Sequence, residues 1–176
     1  NPHDDLAPSM SALLITAHVK EGMSFALLSK LPRPVVDVIQ QHHGTSLVSY
    51  FHHKAQVQRE QQEGARGGSG ASQIIESDFR YPGPRPQPRE AGIIMLADSV
   101  EAASRSLAKP TPHHIHNLVQ EIVQEKLIDG QLDECALTLA DINRIRNCFV
   151  FTLTNVLHSR IPYPKNEALH SQSTGA

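Results

Sequence analysis

The sequence has no tryptophan, and only three tyrosines and five phenylalanines, against eleven histidines. A chain so poor in aromatics and so rich in imidazole turns attention to metal ligation. Cysteine is nearly absent. Cys135 and Cys148 stand in no metal-like spacing, which excludes a disulfide framework and suggests a reducing compartment. Charge of one sign is also missing: 16 basic and 18 acidic residues leave a formal net charge of −2. That balance argues against a domain that coats nucleic-acid polymers and against a polybasic membrane arm. No long apolar run occurs. The longest, residues 12–15 and 93–97, are far too short for a membrane span or a secretory core segment.

The 176 residues fit one domain with tails. Hydrophobic residues make up 39%, below the globular average of roughly 45–50%. The shortfall lies in visible polar stretches. The first residues are Asn1-Pro2-His3, without an initiator methionine, so the chain is expected to derive from something longer.

Periodicity predicts helices and no strands. The first covers residues 9–28, with Leu13, Leu14, Ala17, Phe25 and Leu28 at three- and four-residue spacing. The second covers about 34–43, with Val35, Val38, Ile39 and His42 on one face and Gly44 as its closing residue. A third runs from about 46 into the low sixties and fades into a polar stretch. Residues 60–78 contain a glycine-rich insert, and residues 79–89 hold four prolines that forbid a helix. Further helices are expected at about 89–107, 113–128 and 139–159, the last capped by Thr138 with Asp141 three residues on. Residues 1–160 thus read as one all-α domain and 161–176 as a disordered tail.

Several residues carry possible chemistry. His18 lies mid-helix among Leu14, Ile15 and Gly22, where a core histidine bonded to a carbonyl competes with a ligand. His42 and His43 close a short helix, whose electronegative end suits a cation. Neighbouring helical positions diverge by about 100°, so two such rings suit two sides of a cluster. They read equally as polar residues at a fraying end. Asp98, inside Ile94-Met95-Leu96-Ala97-Asp98-Ser99-Val100, must be paired or metal-bound if buried; Arg105 at i+7 is the alternative partner. Three histidines and an aspartate suit iron, manganese or zinc rather than calcium. Lower weight goes to the surface doublet His52-His53, to a clip through His113 and His116, and to His3-Asp4, which lies outside any regular helix.

Five blocks in order then carry a resemblance: Asn-Pro-His-Asp-Asp-Leu-x-Pro-Ser-x-Ser at residues 1–11, His18-Val19-Lys20-Glu21-Gly22, Gln41-His42-His43-Gly44-Thr45-Ser46, Phe79-Arg80-Tyr81-Pro82-Gly83-Pro84, and the helix from Leu96 to Arg105 with Asp98 inside it. Together they resemble the cytoplasmic HD domain of the seven-transmembrane HD receptors, the PgpH-type cyclic di-AMP phosphodiesterases of bacteria. The resemblance spans residues 1 to about 158. It implies an HD-domain helical bundle with two transition metals, iron or manganese, and hydrolysis of cyclic di-AMP to linear pApA. By the same likeness His18, His42, His43 and Asp98 are metal ligands, Tyr81 contacts the nucleotide, and Thr45 and Arg105 lie near the phosphates. Arg80, Arg85 and Arg89 are expected to face the substrate's negative charge. The cyclic di-GMP branch fits less well, because His-His-Gly-Thr stands where its His-His-Glu would.

The family's upstream His-Asp block is not in this sequence, so the bundle is expected to lack its N-terminal helices. The isolated chain is then expected to hold at most one metal and to be inactive by itself. The resemblance also implies a cytoplasmic position, with membrane contact only through the parent protein's transmembrane segment. Two other readings stay open: an HD phosphohydrolase acting on another nucleotide, and a degenerate, metal-free helical module that binds a partner.

Overall fold

The computed structural model describes residue 3 and residues 5–66, 74–107 and 111–158. The expected tail at 161–176 and the centre of the glycine-rich insert lie outside them. Six α-helices follow in chain order: α1 (Pro8–Leu28), α2 (Arg33–Gln41), α3 (Ser49–Arg66), α4 (Arg89–Ser104), α5 (Pro112–Ile128) and α6 (Leu139–His158). A 3-10 helix, Glu76–Phe79, follows α3, and there is no strand among the described residues. A single antiparallel bridge joins Leu47 to Arg80.

Local chemistry explains the boundaries. Pro8, Pro34 and Pro112 stand in the first turns of their helices, where a missing N–H is harmless. Thr111 accepts from the His114 amide at 3.2 Å and caps α5. Ahead of α6, Thr138 and Asp141 cap each other reciprocally: the Asp141 amide donates to Thr138 Oγ1 at 3.1 Å, and the Thr138 amide donates to Asp141 Oδ2 at 3.0 Å. The Thr138 hydroxyl, which donates to Asp141 Oδ2 at 2.7 Å, and then the Thr138 amide hold the Asp141 carboxyl below the usual carboxylate range.

Helices α4, α5 and α6 enclose the larger core, built on Met95, Leu96, Val100, Ile115, Val119, Val123 and Ile142. A smaller cluster of Ala12, Phe51 and Phe79 ties α1 to α3 and to the 3-10 helix. The apolar face expected for α1 is not the buried one. Leu13, Leu14, Phe25 and Leu28 are exposed, and α1 packs instead through Pro8, Ser11, Ala12, Val19 and Ala26. The helix is apolar on both sides, and its small residues allow the closer approach. A Cβ on Gly22 would stand 3.2 Å from Ile39 Cγ2 of α2. In α2 the buried valine is Val36 rather than Val35. None of the described helices is long and apolar enough to cross a membrane.

Candidate metal centre

Helix α2 ends at Gln41, two residues earlier than periodicity suggests, so His42 and His43 stand in a turn rather than on a helix. The turn reverses at Gly44, with φ +53°, and there a Cβ would lie 2.4 Å from Gln131 Oε1. Freed from helical geometry, the two rings converge instead of diverging, with centroids 4.0 Å apart. His18 reaches them from α1, its ring 4.9 Å from that of His43. One ligand atom from each of His18, His42 and His43 lies within 4.8 Å of the others.

Hydrogen bonding orients these rings. His42 Nδ1 faces the Ile39 carbonyl at 2.9 Å, and His18 Nδ1 faces the Ile15 carbonyl. Each pairing leaves Nε2 turned toward the cluster, the arrangement that carbonyl partners impose on metal-binding imidazoles. His18 Nε2 and His43 Nε2 are 3.1 Å apart. Nitrogens sharing one ion at ~2.1 Å each are separated by roughly 3.0–3.4 Å, so this pair has the spacing of two ligands on a single transition metal. His43 is only 19% exposed. Burial, followed by the charges of His42, His18 and Lys126, lowers its pKa to about 3. It is therefore neutral, as a ligand must be.

Asp98 sits beside the triad, its Oδ2 3.7 Å from His43 Nδ1. Its side chain is 46% exposed, so the buried pair with Arg105 that the sequence offered as the alternative to a ligand does not form. Arg105 pairs with Glu101 at 2.9 Å on the surface of α4. Tyr81 stacks on His43, with centroids 4.2 Å apart and planes 20° from parallel. Burial and the Asp98 charge raise its phenol to about 12. Backbone bonds put it there: the Tyr81 amide donates to the Ser46 carbonyl at 3.0 Å, and the Val48 amide to the Phe79 carbonyl at 2.8 Å.

The remaining expected residues have other partners. Thr45 is held at three points: Gln131 Oε1 accepts from its amide at 2.9 Å, Gln131 Nε2 donates to its hydroxyl at 2.9 Å, and Arg80 Nη1 donates to its carbonyl at 2.8 Å. Arg80 also grips Asp129 at 2.9 Å and Glu76 at 2.8 Å, which raises its pKa, chiefly through Asp129. Arg85 pairs with Asp133 and Arg89 with Asp141. Thr45 and Arg80 thus form a clamp around the histidine turn. His52 packs edge-on against Phe79. His113 and His116 form no ligand group among the described residues.

Gln131 gave no signal in the sequence. It is fully buried, joins Thr45 to Asp129, and follows an Asp-Gly pair that reads simply as a helix stop. Lys126, whose ammonium donates to Ser46 Oγ at 3.0 Å, likewise looks like an ordinary last-turn cation.

Together these features define an all-helical domain in which His18 of α1 meets His42 and His43 of a turn in a cluster that could hold a metal, flanked by an aspartate and a stacked tyrosine. No protein-family model matches the chain. It is 44% identical over 165 residues to the cyclic-di-AMP phosphodiesterase PgpH of Bacillus subtilis (strain 168), covering 94% of this chain and 22% of that protein. It is 38% identical over 167 residues to PgpH of Listeria monocytogenes, covering 95% and 22%. Its fold matches the crystal structure of the L. monocytogenes PgpH HD domain with TM-score 0.76 and 37% identity, over 89% of this chain and 67% of that one. The same domain in complex with cyclic-di-AMP matches with TM-score 0.77. The chain belongs to the PgpH HD-domain family, and its all-α architecture is that of the family. It spans about a fifth of the length of the curated relatives.

Proposed function

We propose that the chain forms part of a metal-dependent phosphodiesterase that opens cyclic di-AMP to linear pApA in the cytoplasm. The observation that carries this reading is the convergence of His18, His42 and His43 on one point, with Asp98 and the Tyr81 ring at its edge. In the resemblance the native ion is iron or manganese. A bound transition metal would polarise a phosphoryl oxygen and make water nucleophilic near neutral pH.

The chain's own residues prepare for this. His18, His42 and His43 offer a preformed ligand set. Asp98, open to solvent, can ligate a neighbouring ion or accept a proton from water. Tyr81 presents a ring on which a purine can stack once the ring leaves His43. The Thr45–Gln131–Asp129–Arg80 clamp fixes the turn that carries two of the three ligands.

Titration of the Mn²⁺-loaded chain with cyclic di-AMP and cyclic di-GMP tests the reading, with chromatography to follow cleavage. Tighter binding of cyclic di-AMP is expected, as is loss of whatever cleavage occurs in Asp98→Ala with helical content unchanged. Equal affinity for the two nucleotides, or wild-type cleavage by Asp98→Ala, would sink it.

A further inference from the structure

Lys126 ends α5 beneath the histidine turn. Its ammonium is half-buried, and its one hydrogen bond is to Ser46 Oγ at 3.0 Å. Ser46 is 3% exposed and belongs to the turn itself: its amide donates to the His43 carbonyl at 3.1 Å, and its carbonyl accepts from the Tyr81 amide. No carboxylate among the described residues reaches Lys126 within ion-pair distance, because Asp129 is taken by Arg80 and Gln131. Burial lowers its pKa, and the acids around it, Glu125, Asp129 and Asp98, do not offset that effect. Ser46 thus joins the ammonium directly to the turn that carries His43.

A protein gains nothing in stability by holding an under-paired ammonium beside a cluster built to bind a cation, since the two repel. The arrangement becomes favourable when an anion lies between them. We propose that Lys126, held by Ser46, is a substrate-binding residue whose ammonium takes a non-bridging oxygen of the phosphodiester at the histidine centre. A metal held by His18, His42 and His43 would draw on one side of the phosphoryl group, leaving another side to the ammonium. An ammonium on a flexible stem suits this role as a point charge that adjusts to the phosphate. The inference rests on the phosphodiesterase reading.

Calorimetry on the Mn²⁺-loaded chain, with cyclic di-AMP and separately with inorganic phosphate, tests it. Lys126→Met is expected to weaken both by about 10–100-fold, the size of a lost charged hydrogen bond. Mn²⁺ affinity should hold or tighten, and Lys126→Arg should recover most of the phosphate affinity. Unchanged phosphate and nucleotide affinities in Lys126→Met overturn the proposal. So does a joint loss of Mn²⁺ binding and melting temperature in both variants, which would make Lys126 a structural tie. Should Lys126→Met not fold, Ser46→Ala frees the ammonium without deleting it. A weaker phosphate affinity is expected there, and an unchanged one counts against the role. Lys126-dependent phosphate binding without cyclic di-AMP binding would overturn the substrate reading and leave the anion anchor standing. Binding of neither by the wild-type chain overturns the anchor as well.

Discussion

The two ends of the domain are built differently. Helices α4–α6 close on a continuous core in which Met95, Leu96, Ile115, Val119 and Val123 are almost fully buried. Helices α1 and α3 share with the 3-10 helix the small cluster at Ala12, Phe51 and Phe79, α2 packs on α1 beside Gly22, and Leu14, Phe25 and Leu28 stay in solvent. Yet all three histidines of the candidate metal centre come from this thinner half. The thicker half supplies its supports: Gln131 and Asp129 behind Thr45, Lys126 under Ser46, and Asp98 alongside. Stability and chemistry are therefore divided, and the histidine turn at 42–46 is where the halves meet. Low-stability elements are where ligand binding has most leverage on order.

The largest expected effect breaks the comparison at its strong end. Leu96, fully buried, should cost about 2–5 kcal/mol when cut to alanine. Leu14, 52% exposed, should change stability by no more than about 0.5 kcal/mol when replaced by serine. Urea unfolding of Leu96→Ala and Leu14→Ser measures both. A Leu14→Ser loss matching that of Leu96→Ala would mean that the outer face of α1 is covered in solution.

Metal should act on the thin half. An ion held by His18, His42 and His43 links α1 to the end of α2. At a free concentration a hundred times its dissociation constant it adds about 2.7 kcal/mol. Hydrogen exchange should show added protection concentrated in α1 and α2, reversed by a chelator, with the amides of α5 and α6 little changed. Uniform protection across all six helices would show instead that the halves unfold as one unit.

This division also sorts what could be read in the sequence. The helices themselves were legible from proline, glycine and periodicity, as were the Thr138–Asp141 cap and the closing role of Gly44. Which side of α1 faces inward was not. A helix apolar all round gives no direction, and Ser11, Ala12, Val19 and Ala26 won by size rather than hydrophobicity. The exposure of Asp98 was not legible for the related reason that apolar neighbours in sequence do not fix burial: Ile94, one turn before it, is also exposed. His18, His42 and His43 were visible as candidates, but their convergence depends on α2 stopping at Gln41. Gln131 was invisible, since a buried glutamine has the same spelling as a surface one.

The smallest effect concerns the clamp between the halves. The Asp129 carboxylate accepts from Arg80 at 2.9 and 3.1 Å and from Gln131 at 2.9 Å. Burial pushes its pKa upward, but the bonds from Arg80 and Gln131 outweigh burial and leave it below the ordinary 3.8. A carboxyl depressed in the folded state binds its proton later than in the unfolded chain. Its contribution is thus complete above the unfolded value and is lost as the pH falls through the folded one. Melting temperature should therefore fall as the pH drops below about 4, and Asp129→Asn should flatten that part of the acid limb. At neutral pH the same substitution should cost about 1 kcal/mol, discounted because water reaches part of the carboxylate. Asparagine keeps one acceptor for Arg80 but no charge, so Glu76 and the Thr45 carbonyl become the main holds on that guanidinium. If the clamp positions the histidine turn, Mn²⁺ affinity should drop along with the acid limb. An acid limb that flattens while Mn²⁺ affinity stays at the wild-type value would show that the joint between the halves holds the fold and leaves the ligands to themselves.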